Sequence, residues 1–405
     1  MKRPWLLAMI LTLAVAGWIL SELYRPYRGY PGNLIFVLEP GTSASQAARQ
    51  LAHSGVIAYR GPFLLRYLLG RPRSLKAGEY LFDRPLRPVD VYDKIVRGDV
   101  YLHSVTIPEG SDRFDMARIL HNRLGIDPQD FLRATASPAA IRDLDPQANT
   151  LEGYLFPDTY SFPRGMTAEA VTNTMLAQFR QVLATRIPAE LRPAPEELHE
   201  VVTLASLVEK ETSSAEERPL IAGVFRKRIQ KRIPLQCDPT VIYAARLAGR
   251  PIGPIRQSDL RFNSPYNTYR FAGLPPGPIA SPGEASLRAA LQPEATPYLY
   301  FVSNNHGGHI FARTLAEHQR NVSRYRREVA LRRRTERAAH GSPSHGARHS
   351  TQRGMTSVNS ISSDGAEKPE QETAHPRSVP GKGTRSRRGA SDPRNPGGPP
   401  ASPRT

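Results

Sequence analysis

The sequence predicts an α+β fold: a small unit followed by a larger mixed one, with an apolar helix ahead of both and a polar tail behind them. Three observations carry that prediction. Short strand-like runs and helix-like runs both recur along the chain. A strand, glycine turn and helix around Gly41 are echoed around Gly110. The charge is also lopsided. Of a formal net charge of +18 over 405 residues, the stretch from Leu331 to Thr405 holds 14 Lys/Arg against 6 Asp/Glu, and it has no aromatic residue. Such a stretch buries too little apolar surface to offset its ordering entropy, so it reads as a disordered tail. The boundaries fall at residues 1–28, 29–102, 103–332 and 333–405.

Composition excludes several classes of function. A single cysteine rules out an intramolecular disulfide framework and a Cys-based structural zinc site. With the tail set aside the body is only moderately basic, and no aromatic-basic interleaving runs through it. This argues against a dedicated nucleic-acid-binding domain, the reading that the +18 alone would suggest, and no nucleic-acid partner is expected.

The first element is an uncharged apolar run from Trp5 to Leu20, preceded by Lys2-Arg3 and closed by Ser21-Glu22-Leu23-Tyr24-Arg25. As helix it reaches about 24 Å, a little short of a hydrocarbon core of about 30 Å. Bilayer thinning and interfacial Trp5, Trp18 and Tyr24 close the gap. The expectation is a single transmembrane anchor with its N-terminus inside, which puts everything after Tyr24 outside the cytoplasm. Two other readings stand beside it. One is a cleaved signal peptide, for which Ala14-Val15-Ala16 supplies the small-x-small pattern; the other is a soluble apolar helix.

Next comes the echo. Phe36-Val37-Leu38-Glu39-Pro40-Gly41-Thr42 reads as a strand running into a glycine turn, followed by Ala47, Ala48 and Leu51 at helical spacing. Val105-Thr106-Ile107-Pro108-Glu109-Gly110-Ser111 repeats strand and turn, and Ala117, Leu120 and Leu124 repeat the helix. Between the copies lie a strand over Leu75–Phe82 and a short helix over Val89–Val96. Beyond Gly125, helical periodicity marks Ala168–Ile187, Glu196–Glu211, Leu220–Ile233 and Glu284–Leu291. Leu151–Pro163 and Pro234–Pro282 read as long loops dense in Pro, Gly, Asn and Tyr, a length that tends to be functional. Tyr298–Val302 and His309–Phe311 read as a hairpin, and a last helix starts at Leu315.

One helix offers chemistry. On Glu196–Glu211 the residues Leu198, Val201, Val202, Ala205 and Val208 form an apolar stripe, and Glu209 continues it near the helix end. Glu211 lies about 200° further round, towards solvent. A carboxyl at the edge of an apolar face is partly withdrawn from water and holds its proton to higher pH than a solvated one. That suits a general acid acting on a glycosidic or acyl bond. The plainer alternative is that Glu209 pairs with a Lys or Arg at the rim of the core. Asp158 and Asp238 sit where Asp forms turns. Cys237 reads as a small buried residue. His306 and His309 flank a Gly-Gly turn without metal-ligand spacing. No Walker A, G-x-S-x-G, H-E-x-x-H or dinucleotide fingerprint occurs in a usable context, so no ATP, NAD or metal cofactor is expected.

These residues also carry a resemblance. Leu204-Ala205-Ser206-Leu207-Val208-Glu209-Lys210-Glu211-Thr212 resembles the signature of the endolytic murein transglycosylases, the YceG-like (MltG) family. Leu151-Glu152-Gly153-Tyr154-Leu155-Phe156-Pro157-Asp158-Thr159-Tyr160 and Gln236-Cys237-Asp238-Pro239-Thr240-Val241-Ile242-Tyr243 are similar to two further blocks. Tyr266-Asn267-Thr268-Tyr269, Gly273-Leu274-Pro275-Pro276-Gly277-Pro278-Ile279 and Gly307-Gly308-His309-Ile310-Phe311 complete the series in family order. The resemblance covers roughly residues 30 to 330.

The resemblance implies a peptidoglycan lyase that cuts the MurNAc–GlcNAc β-1,4 bond inside nascent glycan strands and leaves a 1,6-anhydro-MurNAc end, terminating strand growth. It implies that residues 29–102 form a LysM-like domain and 103–332 the catalytic one. Glu209 matches the catalytic glutamate. Gln236, Asp238, Asn267 and His309 match blocks expected to line the glycan cleft, with tyrosines as stacking surfaces. The implied partners are peptidoglycan glycan strands, the inner membrane and peptidoglycan synthases, with the catalytic part on the periplasmic side. Cys237 departs from the pattern, standing where a small hydroxylated residue is expected. A membrane-anchored, non-catalytic peptidoglycan-binding scaffold is the alternative.

Overall fold

The computed structural model describes residues 4–70, 74–250 and 253–339. The expected tail, from residue 340 on, and Met1–Arg3 lie outside the described residues.

Helix α1 (Pro4–Tyr24) carries its apolar side chains in the open: Trp5, Leu11, Leu13 and Trp18 are all exposed. Only its far end docks, through buried Leu23 and the Trp18 ring lying 6.0 Å from that of Tyr59. Among the described residues no helix is long and apolar enough to cross a membrane. The expectation of a span therefore rests on the sequence, which extends beyond the described stretch by Met1, Lys2 and Arg3.

The echo is a structural repeat. In the first copy β1 (Leu34–Leu38) leads through Gly41 into α2 (Ala44–His53) and α3 (Arg60–Leu69), and β2 (Gly78–Phe82) returns antiparallel to β1. Leu34 faces Phe82 across that pair and Leu38 faces Gly78. In the second copy β3 (Leu102–Thr106) leads through Gly110 into α5 (Arg113–Leu124) and α6 (Pro128–Ala134), and β4 (Thr159–Pro163) returns antiparallel to β3. Both turns need a left-handed residue, with φ of +79° at Gly41 and +73° at Gly110, a conformation glycine adopts freely. Both helices start on a side-chain cap: Ser43 with Gln46 as a capping box, Asp112 onto the Asp115 amide. Between the copies α4 (Pro88–Arg97) covers the first core.

The two copies contribute to separate cores. One gathers Phe36, Leu38, Leu51, Phe63, Tyr80 and Ile95; the other starts at Val105 and extends to Phe301. Each fully buried large apolar side chain contributes about 1.5–3 kcal/mol. Glu79 of β2 bridges the cores, binding His103 at 2.6 Å and Arg164 at 3.0 Å.

The rest of the chain is helical. After α7 (Ala168–Thr185) comes α8 (Pro195–Glu211), then α9 (Arg218–Gln230), α10 (Asp238–Leu247) and the short α11 (Gln257–Leu260). Helix α12 (Glu284–Leu291), the antiparallel hairpin of β5 (Tyr300–Ser303) and β6 (His309–Ala312), and α13 (Leu315–Ala339) complete it. α8 is central, packed against α9, α10 and α12.

Three expectations are corrected here. The stretch 234–282 is not all loop, since Asp238-Pro239 opens α10 with proline in its first turn, where a missing N–H costs nothing. Likewise 159–163, at the end of the other expected loop, is β4. The last helix runs on to Ala339, past the boundary drawn at 332.

Candidate active site

Glu209 stands in the last turn of α8, its side chain only 5% exposed. Three segments converge on it. The turn Pro108–Ser111 is stitched to Ser281 by two backbone bonds, Gly110 N–H to Ser281 O and Ser281 N–H to Ser111 O, both 2.9 Å. Lys210 ties the same turn to α8 by donating to the Gly110 carbonyl at 3.0 Å. The loop before α12 is fixed to α8 as well, through the Ile279 amide donating to Ser206 Oγ at 3.1 Å. The third segment is the start of α9.

Both carboxylate oxygens of Glu209 have donors. Arg218, the first residue of α9, donates from Nη2 to Oε1 at 3.0 Å, and the Gly283 amide donates to Oε2 at 2.9 Å. The rim pairing considered as the plain alternative is therefore present. It does not displace the chemical reading, because the same arrangement orients a carboxyl that is almost sealed from water.

The same guanidinium reaches a second carboxylate. Arg218 Nη2 lies 3.6 Å from Glu109 Oε2, and the Glu109 side chain is 50% exposed. Burial, reinforced by the charges of Glu209 and Glu284 and opposed by Arg218, pushes the Glu109 carboxyl above its usual range. Glu109 forms part of the wall of an open cavity of about 380 Å³, with Phe156, Pro157, Asp158, Arg186 and Arg288 around it. That volume is in the range of small-ligand sites.

Glu211 is not turned to solvent. It is 6% exposed and lies against the thiol of Cys237, whose value is driven up first by burial and then by the Glu211 charge. The two glutamates thus serve opposite sides of α8, a helix buried nearly all round. A 200° rotation from one packed face reaches another packed face.

The structure places the other sequence-derived candidates around this helix end. Gln236 has a left-handed backbone at φ +52°, uncommon for a residue with a side chain. Its amide donates to Thr268 O at 3.1 Å, and its side-chain oxygen accepts from Arg228 at 2.9 Å. Asp238, at the start of α10, accepts from the Tyr269 hydroxyl at 2.5 Å, and burial pushes its carboxyl up to about 6. Asn267 is fully buried. Its amide nitrogen donates to the Leu260 and Phe262 carbonyls at 3.0 and 2.7 Å, and its oxygen accepts from the Tyr269 amide at 3.0 Å. With both ends spent on backbone, Asn267 shapes the loop that presents Tyr269. His309, on β6, is held by Glu217 through its backbone N–H at 2.8 Å and its ring Nδ1 at 2.7 Å. Glu217 immediately precedes Arg218, so His309 and Glu209 are anchored to neighbouring residues of one bend. Among the described residues none of these four bonds Glu209 directly.

Glu109, Glu217, Arg218 and Gly283 did not emerge from the sequence. Glu109 had only its place directly before the repeated glycine as a signal, since the first copy has Pro40 at the matching position. Arg218 and Gly283 had none, since their approach to Glu209 depends on how α9 and α12 pack. Among the described residues no group of three or more His, Cys, Asp or Glu side chains is arranged to hold a metal ion. The chemistry on offer is proton transfer by a sheltered carboxyl whose Arg218 partner also reaches Glu109 in the cavity wall.

Comparison with known proteins gives a consistent set of relatives. The model of the YceG-like family matches residues 36–324. A protein of Bacillus subtilis (strain 168) named endolytic murein transglycosylase is 31% identical over 301 residues, 70% of this chain and 82% of the relative. One of the same name from Streptococcus pneumoniae (serotype 2, strain D39) is 29% identical over 315 residues, again 70% of this chain but 57% of the longer relative. The crystal structure of a yceG-like protein of Listeria monocytogenes is 30% identical, covering 71% of this chain and 98% of that one, with a TM-score of 0.47.

Proposed function

The chain belongs to the YceG-like family, and from that premise we propose that it is an endolytic murein transglycosylase. It is a lyase that cuts the MurNAc–GlcNAc β-1,4 bond within peptidoglycan strands and leaves 1,6-anhydro-MurNAc ends. The observation that carries the proposal is Glu209, a nearly sealed carboxyl with donors on both oxygens, joined through Arg218 to Glu109 in the wall of a cavity.

A glycosidase that uses water needs two carboxyls, one for the leaving group and one for the nucleophile. Here the nucleophile is the sugar's own C6 hydroxyl. Protonated Glu209 gives its proton to the bridging oxygen as the C1–O4 bond breaks. The C6 oxygen then closes onto C1, and Glu209, now a carboxylate, takes the proton that oxygen releases. The acid is restored and no water is consumed. Arg218 and the Gly283 amide stabilise Glu209 in the interval when it is charged. Gln236, Asp238 and His309 are assigned to holding the glycan, Asn267 to supporting the loop of Tyr269.

We extend the proposal to organisation and location. The first repeat unit, strand–helix–helix–strand with antiparallel strands, supports a LysM-like glycan-binding role for residues 29–102. Helix α1, uncharged from Trp5 to Leu20, preceded by Lys2-Arg3 and left with exposed apolar side chains, supports a single anchor in the inner membrane with the catalytic part on its periplasmic side. In that place the enzyme would end nascent strands beside peptidoglycan synthases.

The test is incubation of the purified protein with uncrosslinked glycan strands and mass spectrometry of the products. Anhydro ends are expected. Reducing ends would make the protein a hydrolase, and binding without cleavage would make it the non-catalytic scaffold.

A further inference from the structure

We propose that Glu109 is the alternate counter-ion of Arg218, a positioning residue that takes the guanidinium from Glu209 whenever Glu209 carries the proton it must deliver. The inference rests on the transglycosylase reading of Glu209 and adds a residue to it.

Arg218 is the buried cation between the two carboxylates. Its side chain is 9% exposed, and among the described residues its Nε has no hydrogen-bond partner. A buried guanidinium is stable only while it faces a carboxylate, and removing the partner leaves an uncompensated charge. Yet the general-acid step requires Glu209 to be neutral, which removes that partner once in every turnover. Among the described residues one other carboxylate pairs with it. Glu109 Oε2 lies 3.6 Å from the same Nη2 that bonds Glu209 at 3.0 Å. A small swing of one side chain exchanges the two pairs.

A second observation shows that room is kept for Glu109. Gly283 has an ordinary φ of −76°, so the glycine is not there for its backbone freedom. A Cβ on it would stand 1.9 Å from Glu109 Oε1 and 2.2 Å from Cδ. The missing side chain is the space in which the Glu109 carboxyl lies. The Gly283 amide meanwhile holds Glu209, so one residue serves both carboxyls.

Other charges around the pair are already committed. Lys210 of α8 is spent on the Gly110 carbonyl. On the cavity side, Arg288 and Arg186 face Glu284 of α12 at 2.8 and 3.5 Å, and Asp158 accepts from Gln178 at 2.7 Å. On the far side of Arg218, Glu217 is taken by His309. Glu109 is the acceptor left for Arg218.

The test compares wild type, Glu109→Gln, Glu109→Asp and Gly283→Ala as full chains, following anhydro-end formation from pH 4 to pH 9 with thermal melting alongside. Without the Glu109 charge Arg218 has no second carboxylate to move to and stays on Glu209, which opposes the protonated form that the acid step needs. The alkaline limb of the Glu109→Gln profile is expected to move down by about one pH unit, which is roughly a tenfold loss above the limb. Glu109→Asp keeps the charge and restores the limb. Gly283→Ala, by displacing the carboxyl, reproduces the Gln shift. A Gln profile that overlays wild type, or falls uniformly at every pH, overturns the inference alone. A wild type that makes no anhydro ends overturns the functional reading, and the inference with it.

Discussion

Replacing His199 by alanine tests how the fold holds the loop that lies over α8. His199 Nδ1 is 2.9 Å from Asp145 Oδ2, a carboxylate with no exposed surface, and Nε2 is 2.9 Å from the Pro276 carbonyl. An imidazolium donates in both directions at once. The Asp145 hydrogen bond raises His199 above its ordinary 6.5 against the opposing effect of burial. Burial pushes Asp145 up, but bonds from His199 and Tyr154 outweigh it and leave that carboxyl below 3.8. The raised histidine contributes fully below its unfolded value and loses that contribution as pH climbs through the folded one. The lowered aspartate contributes fully above its unfolded value and loses it as pH falls through the folded one. Both contributions are whole near pH 5.5. Breaking a buried pair costs about 3 kcal/mol, so His199→Ala should lower the melting of the catalytic part by about 6–12 °C at that pH. As pH rises towards 9 through the raised value, the wild-type imidazole loses its charge and the gap narrows. Differential scanning calorimetry of both proteins at pH 5.5 and pH 9 reads this directly. A gap that is equal at the two pH values, or wider at pH 9, would refute the charged pairing.

Two further perturbations probe packing and burial. Gly223 lies inside α9, where alanine normally favours helix by about 1 kcal/mol, but a Cβ there would come 2.0 Å from the Glu294 carbonyl oxygen. Gly223→Ala should therefore lower the melting temperature, by about 1–3 kcal/mol of overpacking, and a rise would contradict the close approach of α9 to that segment. Asp238, raised to about 6 by burial, stabilises the fold while protonated, and that contribution is lost as pH rises through 6. Asp238→Asn keeps an acceptor for Tyr269 and should gain up to about 3 kcal/mol over wild type at pH 8, with no gain at pH 4; urea titrations at the two pH values check it.

Much of this architecture is legible in the residues, because its signals are local. The repeat shows in the chain since a left-handed glycine and a helix cap are each specified within a few positions, at Gly41 with Ser43 and at Gly110 with Asp112. Glu209 is legible because it extends an apolar stripe. Glu211 is misplaced by the same logic: periodicity sets everything off the apolar stripe in water, and at that turn only Lys210 is exposed while Glu211 packs against Cys237. α10 is hidden by its own start, where Asp238-Pro239 reads as a turn until the helix behind it is packed. Asn267 carries a motif yet spends every polar atom on backbone, which only the fold reveals. Arg218 and Gly283 reach Glu209 across long stretches of sequence, and nothing local announces that meeting.

The central claim is that Glu209 is the acid and base of an anhydro-forming cleavage. Wild type and Glu209→Gln should be incubated in parallel with uncrosslinked glycan strands, and the ends identified by mass spectrometry. Wild type is expected to yield 1,6-anhydro-MurNAc ends and the variant none, with glycan binding and melting temperature preserved. Anhydro ends from Glu209→Gln at an undiminished rate would contradict it.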